Sequence, residues 1–338
     1  MTTEAARAPN GRTDFAARFV VRAAMTAPSM HNTQPWSFAS SSDVISLNAD
    51  PDRALPYTDP AGREMLISSG AALFNLQLAM RHLGFAGAVR LLPRAGRVDH
   101  LADVRWGRYS RPTAYDELLY RAMTRRRTHH GRFTVAPVPA PLITELSRSA
   151  HDQRAALHVV SGSAQIRVLA ELVHLAEVTQ RTELGISAER DRWVAAPGGR
   201  RHDGVPARFS DRGLDGSGFA DRQFGCDTRW PASPPPGRAD DYGLGVVAVL
   251  ATHDDRPLDW LLAGQVLQRL LLHATAHHVS AAFHTQPLEL SDYRRRIQTE
   301  FTGGAYPQML LRLGRAGHAD HDARTPRRPV TEMLRETR

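Results

Sequence analysis

The sequence predicts an α+β fold, and three features point to it. Residues 14–27 repeat apolar positions at a helical spacing of four, through Phe15, Phe19, Ala23 and Ala27. Two longer apolar runs, 70–84 and 264–278, each open on Gly and carry Leu at matching helical spacings. Each is followed by two short strand-like runs, 88–92 and 101–106 after the first, 279–283 and 308–313 after the second. The 338 residues suffice for one large or two small domains. By periodicity alone, the echo reads either as an internal repeat or as two unrelated buried helices.

The first helix has Thr13 or Asp14 available as its cap. Pro28 cannot continue it and restricts Ala27, so the chain must turn there and release its last polar groups. The stretch that follows reads Ala27-Pro28-Ser29-Met30-His31-Asn32-Thr33-Gln34-Pro35-Trp36. Free amides together with the Ser29 and Asn32 side chains suit a planar, hydrogen-bonding ligand. The same residues also suit an ordinary helix-to-strand turn.

Composition narrows the chemistry. All 43 basic residues counted as Lys or Arg are Arg. This removes a Walker-A loop, a Schiff-base lysine and any lysine nucleophile, while leaving Arg forks for phosphate. The single Cys, Cys226, allows no internal disulfide and suits a reducing compartment. With no apolar run of about 18 residues and no signal-peptide pattern, a cytoplasmic protein without a membrane partner is expected. The formal charge of +8 comes from scattered arginines, with short runs at 125–127, 294–296 and 327–328. No nucleic-acid-binding motif accompanies them, so no nucleic-acid partner is expected. The His pairs 129–130 and 277–278, and His318 with Asp320, His321 and Asp322, lack tight ligand spacing, and no metal is expected.

The turn Ala-Pro-Ser-x-x-Asn-x-Gln-Pro-Trp resembles the signature turn of FMN-dependent nitroreductases. With His31 and Thr33 it is most similar to their Acg-like branch. The resemblance implies a three-layer α/β/α fold in which this turn, through Pro28, Ser29, Met30, His31 and Asn32, lies against a flavin held at its phosphate by another unit. It also interprets the repeat. The chain would be two nitroreductase units in tandem, 13–109 abbreviated and 110–316 complete, mimicking the family's dimer within one chain, with 317–338 a C-terminal arm. A monomeric pseudo-dimer is thus expected, with further homo-oligomers left open.

The run Arg125-Arg126-Arg127-Thr128-His129-His130-Gly131-Arg132-Phe133 resembles the family's phosphate grip. On that resemblance Arg126 takes the phosphate, Thr128 supplies a hydroxyl, Arg127 is a further cofactor-binding residue, and His130 stands where the family has Arg or Lys, with Arg132, shifted by two residues, the alternative. Pro287 and Glu289 fall where a Pro-x-Glu segment meets the flavin N5 side, and Arg327 and Arg328 resemble the basic tail that returns to the phosphate. The reciprocal site lacks both a grip before residue 13 and a turn near 147–158, so about one FMN per chain is implied. The expected activity is an oxidoreductase passing hydride through flavin N5 to a nitro- or quinone-like acceptor, with NAD(P)H a candidate donor. The alternative is an FMN-sequestering protein with little turnover, its flavin covered by a lid in the Gly/Pro-rich segment at about 197–242.

Overall fold

The computed structural model describes residues 11–94, 96–195, 201–206, 218–220, 222, 242–317 and 325–336. In chain order the elements are α1 (Gly11–Ala24), β1 (Trp36–Ser41), β2 (Val44–Ala49), α2 (Arg63–His82), β3 (Ala88–Leu91), β4 (His100–Arg105) and α3 (Ala114–Met123). Then follow β5 (Phe133–Thr134), α4 (Ala140–His151), β6 (Ala155–Val160), α5 (Ser163–Thr182), α6 (Leu184–Arg192), β7 (Val194–Ala195), β8 (Val205–Pro206) and β9 (Tyr242–Gly243). The last are β10 (Val246–Thr252), α7 (Pro257–Ala276), β11 (Ser280–Phe283), α8 (Ser291–Phe301), β12 (Tyr306–Gly314), α9 (Val330–Met333) and β13 (Leu334–Glu336).

The chain builds two main sheets of the same design. The first runs β1-β2-β4-β3 and the second β6-β10-β12-β11, every pair antiparallel. In each, a helix precedes the first strand (α1 or α4) and a long helix joins the second strand to the third (α2 or α7). The halves differ in their connections. Ser42 and Asp43 alone link β1 to β2, whereas α5, α6 and the segment around 196–241 lie between β6 and β10. Conversely, 25–35 separate α1 from β1, but only 152–154 separate α4 from β6.

In β1 the alternation is simple: Trp36 and Phe38 are buried and Ser37 and Ala39 are half-exposed. These inward residues join Ile45, Leu47, α1 and α2 in one core. The second sheet is covered on both faces, by α4 and α7 through Leu146, Leu250, Leu267 and Leu311 and by α5 and α8 through Leu169, Val249, Ile297 and Leu310. Three α/β/α layers therefore surround the second sheet, and described helices cover one face of the first.

α2 and α7 cross at the centre of the molecule. Neither glycine of the echoed runs begins its helix. α2 starts at Arg63 and α7 at Pro257, where proline suits the first turn, leaving Gly70 and Gly264 mid-helix. A β-carbon on Gly70 would lie 2.2 Å from the Leu261 carbonyl oxygen, and one on Gly264 would lie 2.0 Å from that of Ile67. The glycines thus allow the two backbones to touch. Polar pairs flank the crossing: Gln268 Nε2 donates to Asn75 Oδ1 at 2.8 Å and Gln77 Nε2 to Gln265 Oε1 at 2.9 Å.

The described part of the C-terminal arm, 325–336, crosses back to the first half. Its β13 adds to the outer edge of β1 as the one parallel pair of that sheet, Phe38 opposite Leu334. Met333 is buried in the first core. Residues 1–10, which include most of the stretch where a reciprocal grip would fall, lie outside the described residues, as do Cys226 and most of 197–242.

Candidate functional site

Between the two halves lies a cavity of about 390 Å³, within the range typical of small-molecule sites. The first half contributes the turn after α1 and the α2 face Glu64, Ile67, Ser68 and Ala71. The second contributes Met123, Thr124, 126–128 and His130, with Leu267, Phe283, Thr285 and Met309. Val205 and Arg222 from the long insertion and Thr325 and Arg327 from the arm complete the wall.

The turn is built under strain. After Pro28 the chain enters a short 3-10 turn, and His31, Asn32 and Gln34 all have positive φ, 48°, 54° and 51°. Non-glycine residues there cost about 1–2 kcal/mol each, so surrounding contacts must hold them. Ser29 Oγ accepts from the Gln34 amide at 2.9 Å. Asn32 Nδ2 donates to the carbonyls of Gly204 (2.9 Å) and Pro326 (3.0 Å), while its Oδ1 accepts from Arg327 Nη1 at 2.8 Å. Gln34 repeats the device: Nε2 donates to the His202 carbonyl at 2.9 Å, and Oε1 accepts from the Arg328 amide at 3.0 Å. Arg53 adds a tie, from Nη1 to the Thr33 carbonyl (2.7 Å) and Asp203 (2.9 Å). Two side-chain amides therefore fasten both the insertion and the arm to the turn.

One end of the cavity is cationic. Arg126 is buried, its Nη2 reaching the Thr26 carbonyl at 3.4 Å, and Arg327 Nη2 reaches the neighbouring Ala27 carbonyl at 3.4 Å. The Nε atoms of both are buried without a hydrogen-bond partner. Burial, together with Arg327 and Arg127, pushes Arg126 down to about 9. Burial and Arg127 push Arg327 down to about 10. Uncompensated buried cations of this kind are costly unless an anion joins them. Their forks match a phosphate group. Thr128, bridged to Ala281 of β11 with the His129 amide donating to the Ala281 carbonyl at 2.8 Å, places a hydroxyl residue in the same wall. These residues fit the phosphate of a flavin mononucleotide.

Elsewhere the wall carries a buried network of ion pairs. Glu64 accepts from Arg63 Nη2 at 2.5 Å, and Arg63 Nη1 is anchored on the Gln308 carbonyl at 2.9 Å. Burial and the nearby Glu289 raise the Glu64 pKa against the pull of Arg63 and Arg222. Arg222 ion-pairs with Glu289 and donates to Gln180 Oε1 at 3.2 Å and Thr285 Oγ1 at 3.3 Å. Burial, then Arg222 and Arg190, holds His31 well below its usual value, so its imidazole is neutral.

Of the residues singled out by sequence, Pro28, Ser29, Met30, His31, Asn32, Arg126, Arg127, Thr128, His130 and Arg327 all line this one cavity. Pro287, Glu289 and Arg328 stand behind the wall. Pro287 is buried in the 3-10 turn Gln286–Glu289, and Glu289 meets the cavity through Arg222 and through Thr285, whose Oγ1 donates to it at 3.1 Å. Arg328 turns its guanidinium to Glu332 at 3.1 Å and Asp50 at 3.6 Å. Sequence reading missed Glu64, Ser68, Arg222, Thr285 and Thr325. For the α2 residues a signal existed, since 64, 67, 68 and 71 share one helical face; Arg222 had none.

No family model matches the sequence. A protein of Mycobacterium tuberculosis H37Rv provisionally named an NAD(P)H nitroreductase is 34% identical over 323 residues, covering 94% of this chain and 90% of that one. A second, named acg, is 28% identical over 318 residues, with 93% of each chain covered. Among solved structures, the FMN-dependent nitroreductase NfnB of Mycobacterium smegmatis, in complex with NADPH, aligns with 66% of this chain and 99% of its own at 22% identity and a TM-score of 0.40. Among the described residues no helix is long and apolar enough to cross a membrane. Matched along nearly its whole length to relatives of that name, the chain belongs to the Acg-like branch of the nitroreductase family.

Proposed function

We propose that the cavity holds one FMN per chain and that the protein is a nitroreductase-type, FMN-dependent oxidoreductase. The observation that carries this reading is the buried arginine end, where Arg126 and Arg327 keep unpartnered Nε atoms beside Arg127 and Thr128. These residues would hold the phosphate, with Pro28, Ser29, Met30 and His31 against the ring. When bound, the flavin supplies hydride chemistry at N5 for a nitro- or quinone-like acceptor, with NAD(P)H the candidate donor. The protein contributes orientation, a cationic anchor and a water-poor wall of Ile67, Leu267, Phe283 and Met309. We further infer that 13–109 and 110–316 are tandem units forming a pseudo-dimer, on the strength of their shared strand order. The short α4–β6 connection supports a single site.

A specific observation also favours a second reading, FMN sequestration with little turnover. Asn32 and Gln34 fasten the insertion and the arm onto the turn at the cavity's edge, an arrangement that restricts entry of a nicotinamide. Anaerobic titration of the FMN-loaded protein with NADPH and then dithionite separates the two. Bleaching by both reductants supports the enzyme, and bleaching by dithionite alone supports sequestration. An apoprotein that takes up no FMN overturns both.

A further inference from the structure

We propose that Glu64 is the proton donor of this site, delivering a proton to the acceptor as hydride arrives; this rests on the FMN reading above. Glu64 is the only carboxylate lining the cavity among the described residues, and it is buried. It sits on the first turn of α2, on the same helical face as Ile67, Ser68 and Ala71. Hydride alone does not complete the reduction. A quinone needs hydride plus one proton to become a hydroquinone. A nitro group needs hydride plus one proton to lose one oxygen as water and leave a nitroso group. In either case the electron pair comes with the hydride of the reduced flavin, and the proton leaves the carboxyl O–H. The carboxylate left behind is already provided for, because Arg63 lies 2.5 Å from it and is fixed by the Gln308 carbonyl.

The groups facing Glu64 are Arg63 on its own helix, Asp59 in the preceding turn, Glu289 in the 3-10 turn and Arg222 in the insertion. Burial, and after it Glu289, raise the Glu64 pKa, while Arg63 and Arg222 pull it down and hold the anion that transfer leaves. The other ionisable groups in the wall are less suited: His130 closely follows the phosphate-end residues 126–128 along the chain. His31 is neutral with no proton to give near neutral pH, and the arginines hold their protons throughout. A buried carboxyl with a raised pKa and a cation in reach of its anion is a recurrent solution to acid catalysis.

The test compares two oxidants on reduced, FMN-loaded, full-length protein. p-Benzoquinone requires a proton with its electrons, whereas ferricyanide accepts electrons alone. In E64Q, reoxidation by the quinone should slow about a hundredfold, the scale of general-acid catalysis, while the ferricyanide rate and the FMN dissociation constant stay within about twofold. E64D, which keeps a carboxyl, should recover most of the quinone rate. If E64Q slows both oxidants equally, or neither, the proposal is overturned. A second readout needs neither flavin nor turnover. The infrared difference spectrum of apoprotein, wild type minus E64Q, should show a carboxylic-acid carbonyl band at neutral pH. A carboxylate band in its place overturns the proposal even if E64Q binds FMN poorly. Failure of the FMN reading itself would appear separately, as apoprotein that takes up no flavin.

Discussion

Gly70 lies against Gly264 where α2 crosses α7, and the Cα of Gly264 would be 3.1 Å from a β-carbon placed on Gly70. Either substitution to alanine drives a methyl into the partner helix's backbone carbonyl, which has no flexible end to yield. Gly70→Ala and Gly264→Ala should each destabilise the protein by at least about 2 kcal/mol, the scale of core overpacking. Their effects should combine less than additively, because one contact is being opened. Urea unfolding of the singles and the double checks this, and full additivity would contradict a shared crossing.

Arg126→Ala should weaken FMN binding by about 1.5–3 kcal/mol, as for a hydrogen bond to a charged group. Riboflavin, which lacks the phosphate, should scarcely notice. Removing an uncompensated buried cation has the opposite effect on the empty protein, so Arg126→Leu should raise the melting temperature of the apoprotein while shrinking its rise on adding FMN. Equal losses of affinity for both flavins would assign Arg126 to the fold.

Asn32→Ala removes bonds to Gly204, Pro326 and Arg327 and leaves alanine at φ 54°. The expected loss is about 2–4 kcal/mol, combining unsatisfied buried groups with left-handed strain. It should be local. Amide exchange should accelerate together in 201–206 and 325–336, the two segments that Asn32 joins, and much less in α2 or α7. Acceleration of only one segment would show that they are held independently.

Burial and the neighbouring Glu64 raise the pKa of Asp59 to about 7. The folded protein therefore keeps a proton that the unfolded chain releases from about pH 4 upward. This contribution to stability is present at low pH and fades as pH rises toward 7. Asp59→Asn keeps an acceptor for the Met65 amide, which Asp59 Oδ2 now binds at 2.9 Å, and carries no proton to release. The variant should show a shallower fall in stability between pH 4 and 7, measured by urea midpoints. An identical pH dependence in both proteins would rule out Asp59 as its source.

Much of the site was legible because its signals are local. Pro28 bars any helix beyond Ala27 and forces a polar turn, although α1 itself ends at Ala24; the structure adds that His31, Asn32, Thr33 and Gln34 are buried in that turn and that three of them take left-handed backbone. The arginines at 126 and 127 and the tail arginine at 327 carried the family pattern, and they do converge. Arg328 shares that pattern and faces elsewhere, because successive residues in an extended segment point to opposite sides. The glycines of the two echoed runs were visible as a match. Their purpose appeared only when α2 and α7 were seen to cross.

Sequence alone determined several helical and strand-forming runs, the break at Pro28, the absence of lysine chemistry and the family resemblance, since each rests on residue type or short-range spacing. Tertiary structure decided which distant residues share a contact. Asn32 meets Gly204 across 172 positions and Arg327 across 295, and Glu64 comes to face the same cavity as Arg222. Dihedral preference and hydrophobic period act over a few residues. The pairing of a strained turn with an insertion and a C-terminal arm is set by burial of the whole chain, and no local pattern records it.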